Sequence, residues 1–93
     1  VDSEGNLVGK GDVLAQTRQA LANIKAFTEA AGAKIDDVVK ITVFLRHAKD
    51  APAIRPLRAE VFTGPFYPAT TLLGGADLAD PEWLVEIEAI VAL

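Results

Sequence analysis

Two carboxylates at alternate positions near the end of the chain are the strongest candidates for a chemical role. Glu86 and Glu88 fall within the apolar run 84–91. If that run is a β-strand, its side chains alternate between two faces, so both glutamates share one face. The other face then carries Val85, Ile87, Ala89 and Val91. A carboxylate beside an apolar core needs a partner or a wet cleft, and binding sites and general bases are built in both ways.

Other reactive side chains are scarce. The chain has no cysteine and a single histidine, His47. Thiolate nucleophiles, disulfides and cysteine-type zinc sites are therefore excluded, and a two-histidine acid–base pair cannot be assembled within one chain. We predict no metal and no cofactor. The net charge of −4 argues against broad nucleic-acid binding, because phosphate affinity comes mainly from Lys and Arg. A small organic ligand or a protein partner is expected instead.

The length and composition indicate one small domain. All 93 residues, 51% of them hydrophobic, are assigned to a single domain spanning 1–93. With only four Phe, one Tyr and one Trp, the core must come from aliphatic residues, and association between subunits would help stabilise it. The sequence shows neither a long apolar span nor a leader, so we expect no membrane insertion and a cytoplasmic location.

The clearest periodicity predicts a helix over about residues 13–31. Asp12 is placed to cap it and Gly32 to end it. Its apolar positions recur at spacings of three and four, with Thr17 bridging one turn: Leu14, Leu21, Ile24, Phe27 and Ala31. The residues assigned to a solvated opposite side are Gln16, Gln19 and Asn23. The glycine-rich residues 1–11 before this helix are predicted to be a loop.

The rest of the chain predicts a strand, a second helix and two further strands. The β-branched run 38–45 predicts a strand, with one face formed by Val39, Ile41, Val43 and Leu45. A helix is expected over about 51–62 after Asp50, with a kink or a start near Ile54 because Pro56 cannot donate a backbone bond. A solvated loop is predicted between this strand and helix: Arg46, His47 and Lys49.

A second strand is expected over residues 66–73, beginning at Pro68, followed at Gly74-Gly75 by a bulge or a close backbone approach. A short turn then leads to the strand of the two glutamates, so these last two strands are predicted to form an antiparallel hairpin. The order helix, strand, helix, strand, strand predicts an α+β fold, with a sheet that has both helices packed on one face.

Five segments, taken in order, resemble the Rid/YjgF reactive-intermediate deaminase family. They are Gly11-Asp12 with 15–21, Ala30-Ala31-Gly32, residues 36–44, Tyr67-Pro68-Ala69 and residues 85–89. The resemblance runs nearly end to end. It implies a chorismate-mutase-like fold, a homotrimer with clefts between subunits, and cofactor-free hydrolysis of amino-acid-derived imines and enamines that releases ammonia and a keto acid. It also implies that the family's N-terminal β-hairpin, with a site tyrosine and serine, is absent from this sequence.

The resemblance assigns site residues on two strands. Glu86 matches the family glutamate that positions or activates water near the imine carbon, and it is the predicted catalytic residue, with Glu88 as its structural neighbour. Thr70 stands where active deaminases carry arginine directly after Pro-Ala. Thr70 and the adjacent Thr71 are the predicted substrate-binding residues, at a subunit interface. A threonine hydroxyl replaces a two-bond arginine fork, which could cost about 2–4 kcal/mol of substrate binding.

Three functions follow from these residues. The first is imine hydrolysis, either weak or directed at a ligand that lacks the usual carboxylate. The second is a non-catalytic module that binds a small molecule or a protein on the same trimeric scaffold, in which Glu86 is an interface carboxylate. The third is a ribonuclease or translation inhibitor, which the negative net charge and the single histidine disfavour.

Overall fold

The structure, a computed structural model, describes residues 9–65 and 67–92. The main elements along the chain are α1 (Val13–Ala30), β1 (Val38–Leu45), α2 (Ala51–Val61), β2 (Ala69–Leu73) and β3 (Val85–Val91). Single 3-10 turns, Ile35–Asp37 and Ala48–Asp50, lead into β1 and α2. The predicted element order is confirmed. The first part of the predicted N-terminal loop, residues 1–8, and Phe66 in the second predicted strand lie outside the described residues.

The three strands form one sheet in the order β2-β1-β3. β1 is parallel to β2 and antiparallel to β3. The predicted hairpin between β2 and β3 is therefore wrong, because β1 lies between them and the loop 74–84 crosses from one edge to the other. Turn residues in that loop indicate a change of chain direction, but they do not indicate which strand β3 pairs with in the sheet.

Both helices pack on one face of this sheet, which confirms the predicted α+β arrangement. The core lies between them and the sheet. Its buried members are Leu21, Val38, Ile41, Val43, Leu45, Ile54, Leu57, Phe62 and Val85. Among the residues that the structure describes, aliphatic side chains supply all of these members but Phe62, as the composition predicts. Neither α1 nor α2, the helices within the described residues, is long and apolar enough to cross a membrane.

Helix α1 buries a slightly different face from the predicted one. Asp12 caps it, and its carboxylate accepts from the backbone N–H groups of Leu14 and Ala15 at 3.0 and 3.1 Å. Phe27, however, is 76% exposed, whereas Thr28 is 4% exposed. At about 100° per residue, Thr28 lies about 20° from Leu21 around the helix and Phe27 about 120° away. Helical geometry therefore places the smaller, more polar residue inside.

Strand β1 begins with an irregularity that changes the predicted face. The register with β3 shifts between Val38 and Lys40. Val38 is 3% exposed and Val39 is 48% exposed, so Val39 does not join Ile41 in the core. An extra residue in one strand of an antiparallel pair reverses the alternation at that point.

Helix α2 starts at Ala51 and runs through Pro56, so the predicted late start near Ile54 is wrong. Pro52 lies in the first turn, where a backbone N–H would have no helical partner in any case. Beyond β2, the predicted close backbone approach is confirmed. A Cβ on Gly74 would lie 2.9 Å from the Cα of Ala48, in the turn that leads into α2.

Candidate functional site

The sheet face that carries no helix, called here the open face, holds both glutamates. Three rows of neighbouring residues cross it from β2 through β1 to β3: Leu73, Phe44 and Glu86; then Thr71, Thr42 and Glu88; then Ala69, Lys40 and Ile90. Glu86 and Glu88 are exposed, while Val85 is buried against the helices. The predicted alternation along β3 is thus confirmed.

The neighbours of the two glutamates differ. Glu88 lies beside Thr42, whose hydroxyl can donate a hydrogen bond, whereas Glu86 lies beside Phe44, which offers no donor. In the part of the chain that the structure describes, neither carboxylate forms a hydrogen bond or an ion pair. Both oxygens of Glu86 are therefore available to a water molecule or a ligand.

Thr71 also belongs to the open face. It pairs with Thr42, and its hydroxyl accepts a hydrogen bond from Lys40 Nζ. This contact links the β2 edge to a cation in the centre of the sheet. Thr71 thus shares a face with the glutamates, on the strand farthest from them.

Thr70 lies on the opposite face. Its register partner is Ile41, which is 1% exposed within the core. Glu86 pairs with Phe44, three residues further along β1. Spacings of about 4.8 Å between strands and about 3.3 Å per residue put the Cα atoms of Thr70 and Glu86 about 14 Å apart. The structure therefore does not bring the predicted catalytic residue and Thr70 together within one chain.

A groove of about 270 Å³ runs between α1 and β3. Glu86 lines it together with Asn23 and the exposed ring of Phe27. The remaining lining residues include Gln16, Gln19, Ile24 and Trp83. The predicted solvated side of α1 therefore borders a concave surface, and this surface reaches the candidate catalytic carboxylate.

Gln16 is a functional neighbour that sequence reasoning missed. It was assigned to the solvated side of α1, but it is 7% exposed. Its Oε1 accepts from the N–H of Leu84 at 2.7 Å, and its Nε2 donates to the carbonyls of Glu82 and Gly9 at 3.0 and 3.1 Å. One amide thus satisfies three backbone groups and fixes the segment that enters β3, two residues before Glu86.

Arg46 holds the same segment from the other side. It was predicted to lie in a solvated loop, yet its Nε donates to the Trp83 carbonyl at 2.8 Å and its Nη2 to the Asp80 carbonyl at 2.9 Å. Its backbone N–H donates to the Leu84 carbonyl at 3.0 Å. These partners lie 34 to 38 positions away in the sequence, so no local pattern could have indicated them.

Among residues 9–65 and 67–92, no group of three or more His, Asp or Glu side chains is placed to hold a metal ion.

Comparison with known proteins gives a consistent result. The chain matches the family model described as endoribonuclease L-PSP over residues 1–93. It is 43% identical over 83 residues to a 2-iminobutanoate/2-iminopropanoate deaminase of Dermatophagoides farinae, covering 89% of this chain and 63% of that protein. A deaminase of the same name from Escherichia coli is 41% identical over 81 residues, covering 85% and 62%. The chain thus spans less than two thirds of either relative.

The fold comparison agrees. A solved structure from the conserved Rid protein family of Yersinia pestis has a TM-score of 0.90 and 37% identity, covering 99% of this chain and 71% of that one. A YjgF-family structure from Mycobacterium tuberculosis has a TM-score of 0.84 and 32% identity, covering 91% and 70%. The YjgF-like fold predicted from the sequence is confirmed.

Proposed function

This chain belongs to the endoribonuclease L-PSP family, which groups it with the YjgF and Rid proteins, and we propose that it hydrolyses reactive imines to carbonyl compounds and ammonia. Two similar proteins are named as deaminases of 2-iminobutanoate and 2-iminopropanoate. The proposal rests mainly on Glu86. Its carboxylate is exposed at the rim of a groove and has no hydrogen-bond or ion-pair partner within the described residues.

In the proposed reaction Glu86 acts as the general base. Its carboxylate accepts a proton from a water molecule as the water oxygen attacks the imine carbon. The imine nitrogen takes up a proton from solvent, which gives a carbinolamine. Glu86 then returns its proton to that nitrogen, and the C–N bond breaks as the hydroxyl group loses its proton to solvent and becomes the carbonyl, so that ammonia leaves. Enamines enter the same route after they tautomerise to imines. A positioned general base contributes about 10²- to 10⁴-fold to such a step.

We further propose that the site lies between subunits of a homotrimer. Thr70 and Glu86 lie about 14 Å apart on opposite faces of the sheet, which is longer than a four-carbon imine, so one ligand can touch both only if they come from different copies. The open face favours such association, because Ile90 is 60% exposed and Leu73 is 47% exposed.

A second candidate is a non-catalytic binding module on the same scaffold. It is favoured by Thr70, which offers one neutral donor at the position where the resemblance places arginine. The family description also mentions endoribonuclease activity. A net charge of −4 and a single histidine argue against that activity here.

The test uses the full-length protein and 2-iminobutanoate generated in the assay by an amino-acid-consuming enzyme. We expect faster release of ammonia and 2-oxobutanoate than in buffer. A protein that binds 2-oxobutanoate but leaves imine decay at the buffer rate would overturn hydrolysis in favour of the binding module. Light scattering at micromolar concentration is expected to give the mass of a trimer, and a monomer would contradict the site between subunits.

A further inference from the structure

A second concave site lies between α2 and β2, on the face of the sheet that packs against the helices. Its volume is about 180 Å³. Its lining residues include Ile41, Arg55, Arg58, Phe62, Tyr67 and Thr70. This volume is below the 300–1,000 Å³ common for drug-sized ligands, so the cavity suits a small molecule or one end of it.

Two arginines give this cavity its charge. Arg55 and Arg58 are three residues apart on α2, a spacing that places them on neighbouring positions of one helix face. Within residues 9–65 and 67–92, neither is part of an ion pair. The cavity therefore carries two positive charges close together without an anion to balance them.

Arg58 also has an unmet hydrogen-bond donor. Its Nε atom is buried and has no hydrogen-bond partner. Burial lowers the pKa of the Arg58 guanidinium, and the positive charge of Arg55 lowers it further. A buried donor without a partner costs folding free energy, and the cost is larger when the group is charged. A bound anion would remove this cost and the repulsion together.

We propose that this cavity holds the carboxylate of the substrate, with Arg58 as the main clamp, Arg55 as a second cation and the Thr70 hydroxyl as a third donor. The inference rests on the proposed function and adds the residues of this chain that bind the carboxylate of the substrate. Arg58 and Thr70 line the same cavity, so a guanidinium from α2 serves where β2 has only a hydroxyl. An arginine fork matches the two oxygens of a carboxylate.

The proposal is tested by binding of 2-oxobutanoate, the stable keto acid, to the full-length protein. Calorimetry should show at least tenfold weaker binding for Arg58→Gln and a smaller loss for Arg55→Gln. Arg58→Lys, which keeps the charge and loses the fork, should fall between wild type and Arg58→Gln. The matched control is Arg18→Gln, which removes an exposed charge on α1 and should bind as wild type does.

A second readout does not depend on any variant. In nitrogen-15-labelled wild-type protein, the Arg58 Nε–H resonance should shift on saturation with 2-oxobutanoate. An unmoved resonance, or Arg58→Gln binding as tightly as wild type, overturns the proposal. Inorganic phosphate binding as tightly as the keto acid would overturn the carboxylate assignment.

These outcomes are separable from those of the proposed function. If keto acid binds through Arg58 while imine decay stays at the buffer rate, the carboxylate site stands and hydrolysis fails. If imine hydrolysis proceeds and Arg58→Gln leaves binding unchanged, hydrolysis stands and the carboxylate site fails.

Discussion

Thr70 and Glu86 occupy opposite faces of the sheet, on the two strands that flank β1. Thr70 borders a cavity with two arginines, and Glu86 borders a groove on the far edge. A ligand that uses both residues must therefore bridge two copies of the chain. The two arginines and the carboxylate would then approach the ligand from different subunits.

Replacing Thr70 with arginine tests whether the protein needs an arginine at position 70 to bind the substrate's carboxylate. Because Arg58 already faces the cavity, we expect Thr70→Arg to change kcat/KM for 2-iminobutanoate by less than about threefold. In the Arg58→Gln background, the same replacement should recover most of the lost activity.

The contrary result would be equally clear. A gain of about thirty-fold or more from Thr70→Arg alone, equivalent to about 2 kcal/mol, would mean that Arg58 does not serve as the clamp.

Removing the Gln16 amide should lower the free energy of unfolding. Gln16→Ala leaves the N–H of Leu84 and two carbonyls without their side-chain partner, so we expect a loss of about 1–3 kcal/mol in urea unfolding. Gln19→Ala is the matched control on the same helix, because Gln19 bonds only to the Asn23 side chain among the contacts described. Equal losses for the two variants would refute a special role for Gln16.

The two aspartates that precede helices should differ in their effect on stability. The Asp12 carboxylate accepts two backbone N–H bonds at the start of α1, whereas Asp50 makes no side-chain cap bond at α2. Asp12→Ala should therefore cost about 0.5–2 kcal/mol and Asp50→Ala much less. Thermal or urea unfolding measures both, and a larger loss for Asp50→Ala would contradict the assignment.

Association through the open face can be tested at Ile90. Ile90→Asp places a charge among the exposed apolar residues of this face, and burying an unpaired charge in an interface is costly. We expect the proposed trimer to dissociate, as measured by sedimentation velocity. Ala26→Asp, on the exposed side of α1, should leave the mass unchanged. An Ile90→Asp protein that sediments as wild type would exclude this face from the interface.

Local pattern accounts for most of the fold. Periodicity and capping predicted α1, and the β-branched run predicted β1. Alternation placed Glu86 and Glu88 on one face. Each of these patterns depends on residues that are close in sequence. Strand pairing was wrong for β2 and β3, since the choice of neighbour depends on the whole core. Val39 and Phe27 were assigned to the wrong faces of their elements. A bulge reverses the alternation at Val39, and Phe27 lies about 120° around α1 from Leu21.

The site was harder to predict than the fold. Resemblance selected Glu86 and Thr70, but nothing in the sequence indicated that they lie on opposite faces. Gln16 and Arg46 were predicted to be solvated because polar side chains usually are, but both bond to backbone groups far along the chain. The sequence did not indicate a role for Arg58 either, because the burial of its Nε depends on how α2 packs against the sheet.

The proposed role of Glu86 is activation of the attacking water. Its most direct test is the rate of 2-iminobutanoate hydrolysis by the full-length Glu86→Gln variant, with Glu88→Gln as the matched control on the same face. Glu86→Gln should lower kcat by about 10²-fold or more with the trimer intact, because glutamine cannot accept the proton. Glu88→Gln should retain activity within about threefold of wild type. Equal activity in both variants would contradict the assignment of Glu86 as the base.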